Sequence, residues 1–154
     1  MFKTLLAVCS VLTMAPVAAL AAPDPVVLEG GVKLEKSVVE NGVAKPVLVE
    51  PKVVVPGDRL LFTTRYANKG TQGVSNFVVT NPLPAAVRLA PEGAAGLQVS
   101  VDGGKSWGTL ASLTVAEGTG RRPARADDVT HVRWTIPAIA PGGTGTVEYH
   151  AIVR

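Results

Sequence analysis

Two histidines, an acidic pair, an arginine trio and one acid-anchored turn are the groups in this chain whose chemistry could carry a function. His131 and His150 are the only histidines. A zinc site needs one or two further ligands converging on the same point. Glu148 and Asp128 are available, but their spacing brings about no such convergence. Asp127 and Asp128 could work as general acid and base, or bind calcium together with Glu117. Neighbours on an extended chain point to opposite faces, which denies the pair a shared proton. Calcium takes roughly six to eight oxygens from a denser acidic loop. The two aspartates read instead as caps at the start of a strand and as counter-charges to Arg121, Arg122 and Arg125. The arginines could meet an anionic glycan, a phospholipid headgroup or an acidic partner, since loops at the ends of β-folds are where sites grow. The alternative is a solvated loop.

The acid-anchored turn is Ser100-Val101-Asp102-Gly103-Gly104-Lys105-Ser106-Trp107. It matches the S-x-D-x-G-x-[ST]-W pattern called an Asp box, found on hairpins of sialidase-type propellers. A propeller needs at least four blades of four strands, and this chain has one box. The local reading is a hairpin device. Asp102 accepts from turn amides, Gly103 or Gly104 takes a positive φ, and Trp107 packs on the hairpin.

No serine-histidine-acid pattern, no G-x-S-x-G and no phosphate-cradling glycine loop occurs. Cys9 is the one cysteine. We assign no catalytic, cofactor-binding or metal-ligating residue and no cofactor, and the expectation is a protein that is not an enzyme.

These groups would be positioned by short strands. Pro56-Gly57 and Pro141-Gly142 each open an alternating run, Leu60 to Tyr66 and Val147 to Ala151. Proline presets the first central φ of a type II turn and glycine supplies the second. Leu60, Phe62, Thr64 and Tyr66 form the better core face of the first run. Asn41-Gly42 between two β-rich segments predicts a type I′ hairpin. Pro46 then places its strand at an edge or bulge. Phe77 to Thr80, Val87 to Leu89, Leu97 to Val101 and Val129 to Ile136 add further strands. Val132, Trp134 and Ile136 share one face of the last. Glu117 to Asp128 shows no apolar period and reads as the least ordered stretch. No segment carries a convincing helical period. The expected fold is all-β, an immunoglobulin-like antiparallel β-sandwich of about seven to nine strands.

Met1–Ala21 reads as a secretory signal peptide. Lys3 supplies the positive start, Leu5 to Ala19 the apolar stretch, and Ala19-Leu20-Ala21 the small-residue cleavage site. Residues 22–31 are then an extended lead-in, loosely paired or free, and 32–154 the domain. Cleavage removes Cys9 and leaves about 130 residues, enough for one self-supporting core. The net charge of +3 includes Lys3. That is too little for a nucleic-acid footprint. No second apolar run is long enough for a membrane span. The expectation is a soluble exported chain, periplasmic or extracellular.

Several of these segments together resemble a known repeat. Pro56-Gly57-Asp58 is followed by Tyr66-Ala67-Asn68-Lys69-Gly70, then by Asn76-Phe77-Val78-Val79-Thr80-Asn81-Pro82-Leu83-Pro84. Trp134-Thr135-Ile136 and Ala140-Pro141-Gly142-Gly143 close the pattern. It resembles the bacterial conserved repeat domain of unknown function number eleven, over roughly residues 32–154. Asn81 stands where the family usually has aspartate. The chain carries one copy where family members often form tandem arrays. The resemblance implies an immunoglobulin-like sandwich in cell-envelope settings and no catalytic residues. A structural or protein-interaction role at the bacterial envelope follows, with an envelope protein or glycan as partner. The alternatives are a carbohydrate-binding module using Trp107, and a self-assembling subunit whose Ala22–Gly31 arm adds a strand to a neighbour.

Overall fold

The computed structural model describes residues 25–94 and 96–154. The leader Met1–Ala21 lies outside them. These residues form ten antiparallel strands and three one-turn 3-10 segments. The strands are β1 (Val26–Glu40), β2 (Val43–Val49), β3 (Arg59–Asn68), β4 (Val74–Pro82), β5 (Val87–Leu89), β6 (Gln98–Ser100), β7 (Thr114–Glu117), β8 (Gly120–Pro123), β9 (His131–Ile139) and β10 (Thr144–Val153). A five-stranded sheet runs β2-β1-β3-β10-β5 and a three-stranded sheet runs β4-β9-β6. They face each other as an all-β sandwich. A separate hairpin, β7-β8, accounts for the strands beyond the number expected.

The β3-β10 ladder is fastened at both ends by the Pro-Gly turns. At one end Asp58 N–H donates to Val55 C=O (3.0 Å), closing the first turn, and Gly57 N–H donates to Val153 C=O (2.9 Å). At the other end Gly143 N–H donates to Ala140 C=O (2.8 Å), closing the second turn, and Gly142 N–H donates to Asn68 C=O (3.0 Å). Gly57 and Gly142 take φ of 93° and 72°, the left-handed values a type II turn demands.

Alternation along this ladder builds the core. Leu60, Tyr149 and Ala151 are buried with Leu34, Val87 and Leu89 of the same sheet, against Val99, Val129 and Val132 of the other side. Phe62 and Tyr149, directly paired in the ladder, stack with centroids 4.9 Å apart and planes 4° apart. Burial pushes the Tyr149 phenol up to about 12. Trp134 lies 6.1 Å from Tyr149, inward as its strand pattern predicts.

Asn68 is the polar counterpart of this packing. It is 0% exposed. Its amide donates to Ile139 C=O (3.1 Å) on the opposite sheet and to Gln72 C=O (2.8 Å), and its oxygen accepts from Gly70 N–H (2.9 Å). One side chain thus ties the two sheets and closes the β3-β4 turn. A few residues away, Tyr66 lies over Gly145, where a Cβ would come 2.2 Å from the phenol oxygen. Only glycine lets the ring cross that strand.

Asn41 and Gly42 take φ of 52° and 78°, the pair of positive values that defines a type I′ turn. The β1-β2 hairpin follows as predicted, and β2 is an edge strand. Pairs alternate between bonded and non-bonded from the Glu40↔Val43 pair beside the turn. Pro46, opposite Ser37, is at a non-bonded position, so its missing N–H faces the free edge and weakens pairing there.

The lead-in needs correction. Residues 26–31 are part of β1 and pair with Asn68 through Thr63 of β3. Val26 is buried. Alternation is weak there because Gly30 and Gly31 interrupt it, but the backbone bonds to β3 do not depend on side chains. On that side the segment is committed to its own sheet.

Replacing Asn68 with alanine leaves two carbonyls and an amide without partners and opens a small void. The expected cost is about 2–4 kcal/mol, and denaturant unfolding of Asn68→Ala against the parent measures it. A change below about 0.5 kcal/mol would show that water replaces the side chain.

Candidate functional site

The Asp box is a self-contained loop. It starts at the end of β6 and closes where Val99 and Gly108 exchange backbone bonds of 2.8 and 3.1 Å. Asp102 accepts from Lys105 N–H (3.0 Å), Ser106 N–H (2.9 Å), Ser106 Oγ (2.6 Å) and Ser100 Oγ (2.7 Å). These donors hold its carboxyl well below the usual carboxylate range, the Ser106 hydroxyl most of all. Gly103 and Gly104 both take positive φ. Trp107 Nε1–H donates to Gly104 C=O (3.0 Å), and the Arg133 guanidinium sits over the ring at 4.4 Å. All of Asp102's bonding capacity is spent on the loop. The indole nitrogen is used and one ring face is covered, which works against Trp107 as a platform for a sugar.

The histidines lie on opposite outer faces of the sandwich. His131 on β9 meets Trp107 edge-on at 6.3 Å. His150 on β10 puts Nε2 3.5 Å from Glu35. Among the described residues no group of three or more His, Cys, Asp or Glu could hold a metal ion. Glu35 also approaches Arg59 (3.5 Å), which bonds Glu92. These groups form an ion-pair strip across one outer face.

The acidic pair divides its work. Asp128 accepts from both terminal nitrogens of Arg122 (2.6 and 2.8 Å) and from Arg125 N–H (2.7 Å). Arg122 also meets Glu117 at 3.0 Å. Asp127 turns to Arg154 (3.2 Å) and Arg88 (3.9 Å). The Glu117 to Asp128 stretch is therefore more ordered than its composition suggests. Residues 114–117 and 120–123 form β7-β8, and Ala126–Asp128 is a 3-10 turn. A bidentate arginine-carboxylate pair does there what an apolar stripe does elsewhere. Arg121 is spent on Thr114, donating to its hydroxyl (2.6 Å) and carbonyl (2.8 Å). This leaves Arg125 as the member of the trio that faces solvent.

A different surface emerges from the fold. β3 begins opposite Glu35, so residues 36–40 of β1 pair only with β2. The hairpin extends past the sandwich as a two-stranded arm. Its alternation puts Val38 and Val43 on one face, with Val39, Ala44, Pro46 and Leu48 on the other. Val39 is 71% exposed and Val43 is 59% exposed. Val53, Val54 and Val55 of the following loop are exposed as well. The inner face also carries the Glu40-Lys45 pair (3.2 Å). The outer face of the arm is the more apolar, with exposed Val39, Ala44, Pro46 and Leu48, while the inner face mixes Val38 and Val43 with Lys36, Glu40 and Lys45. The sequence shows each valine as strand-forming but not that the hairpin runs beyond the end of its neighbour β3.

Compared with protein-family models, with curated proteins and with solved structures, the chain finds no match. Functional argument therefore rests on the arrangement of its own residues.

The Arg122 guanidinium holds Asp128 down at about 2. An acid whose folded value is depressed contributes stability above its unfolded value, near 4, and loses it as pH falls toward 2. The β7-β8 amides should therefore lose exchange protection between about pH 4 and pH 2, read by NMR hydrogen exchange. Asp128→Asn should show weak protection across the whole range. A step of unchanged size in Asp128→Asn would assign it to another group.

Proposed function

We propose that this chain is an exported, non-enzymatic β-sandwich module with a structural or protein-interaction role at the bacterial cell envelope. The single observation that carries the reading is the arm of residues 36–47, which spends β-branched apolar side chains on solvent at both faces. Monomeric surfaces seldom keep contiguous apolar patches without a partner for them. The Met1–Ala21 leader motif supports export. The turn and strand motifs that resemble the envelope repeat family support the setting. The Asp box and the Arg122-Asp128 pair supports a scaffold reading in a specific way. Their polar groups bond one another, so the residues with the most chemistry are occupied in holding loops.

Export predicts that the chain recovered from a bacterial host begins at Ala22, read by terminal sequencing. For the arm, a photo-cross-linking residue at position 39 should give a discrete adduct in envelope extract, and one at Thr114 should not. Val43→Thr should weaken that adduct while changing unfolding free energy by less than about 0.5 kcal/mol, because the site is exposed. Equal adducts from both positions, or turnover of a substrate by the pure chain, would remove the reading.

A further inference from the structure

The two sheets differ by two strands, and the difference falls on one side. Asn81 of β4 donates to Thr64 of β3 at 2.7 Å, and Trp134 of β9 packs near Tyr149 of β10. β4 therefore faces β3, and β9 faces β10. β2 pairs with β1 only from Leu34 onward, so beside β4 it is β1 alone that overhangs the free edge, by about 5 Å, one strand spacing. Under the overhang is a groove of about 350 Å³ whose lining includes Gly30, Val32, Phe62, Thr64, Asn81 and Pro82. No residue of that lining carries a charge. Leu28, one step along the same face of β1, is 46% exposed. A Cβ built on Gly30 meets nothing within 4 Å, so the floor is open at that point.

The wall of the groove is the free edge of β4, bounded at one end by Pro82 and at the other by Asn76, whose φ is 52°. β4 has no charged residue along its length. Leu83 N–H donates to Thr130 C=O at 2.8 Å, which sets the phase of the β4-β9 ladder. Counting back from there, Phe77, Val79 and Asn81 bond β9, while Val78 and Thr80 turn their N–H and C=O outward. Pro82 and Pro137 both fall at non-bonded positions of this ladder, as residues lacking an N–H should. Val78 is 47% exposed. The other edges are less inviting. β2 carries Lys45 beside Pro46, the stretch of β1 before Leu34 carries Glu29 and Lys33, and β5 and β6 are three residues each.

The overhang also decides what fits. Pairing β4 with β4 of a second copy places a two-fold axis perpendicular to the sheet. β1 of each copy would then occupy the space of the other copy's β3, which lies over its own β4. A whole sheet is excluded and a single extended strand is not. We infer that the groove accepts one extended segment of another protein, uncharged and apolar at alternate positions, as a fourth strand beside β4. Backbone bonds to Val78 and Thr80 would give register, and alternate side chains would cover Val32, Phe62 and the open floor at Gly30.

The test is NMR titration of the labelled chain with a peptide of Thr-Val repeats, flanked by lysines for solubility. Expected are amide shifts at Gly30, Val78 and Thr80, with slowed exchange at Val78 and Thr80. Gly30→Leu, which fills the groove, and Val78→Pro, which removes one outward donor, should each weaken binding about tenfold or more. If Gly30→Leu unfolds the chain, Val78→Pro decides, because β9 does not use that donor. A peptide with aspartate in place of valine should not bind. Shifts confined to the arm, or no shifts at saturating peptide, overturn the proposal. So do concentration-dependent shifts at Val78 without peptide, which would assign the edge to a second copy. The arm is untouched in these variants, so failure here leaves the arm reading standing.

Discussion

The β3-β10 ladder is the constraint on which the rest of the fold depends. It runs through the middle of the larger sheet, and its inward residues are the floor on which the smaller sheet packs. A ladder alone does not fix its own ends, because terminal pairs fray at little cost. Here each end is held by a Pro-Gly turn bonded across to the partner strand. The Phe62-Tyr149 stack sits between the two clamps and takes its geometry from the register they impose. A one-residue slip of β10 along β3 would turn Tyr149 to the outer face and part it from Phe62.

That register explains why the surface has two different characters. Where the smaller sheet covers the larger one, polar groups are satisfied internally and apolar groups are buried. Asn68, Ser100 and Thr64 are the buried polar side chains, and each has a partner. Where cover ends, at β1 and β2, the same alternation continues with nothing opposite it. The arm and the groove beside β4 are both consequences of five strands facing three. They are distinct surfaces, since one projects beyond the sandwich and the other lies within its side.

The turns were the most legible part of the sequence, because proline and glycine act through their own backbone and need no context. Asn41-Gly42, Pro56-Gly57 and Pro141-Gly142 all sit where their residue types require. The Asp box was equally legible, since its partners lie within eight residues. The β7-β8 hairpin was not, because Arg122 and Asp128 hold it in place of an apolar period. Asn68 was readable as a turn residue, but its bond to Ile139 spans the whole fold. The exposed arm was illegible for a similar reason. Whether Val38 is covered depends on where the smaller sheet ends, a property of another part of the chain, and Val39 lies on the outer face of the larger sheet.

The composition of the arm bears on what it is for. A two-stranded ribbon in water gains little from packing, so it needs residues that favour extended backbone, and valine does. Threonine does nearly as well and keeps a hydroxyl in solvent. If the arm served only to connect β1 to β2, threonine would satisfy the backbone and spare the cost of exposed apolar surface. Each valine left in water instead forgoes about 1–1.5 kcal/mol relative to burial. Pro46 meanwhile discourages edge-on pairing along β2. Together these choices discourage pairing along the edge of the arm and leave its outer face apolar, so any contact the arm makes would be face-on, by side chains.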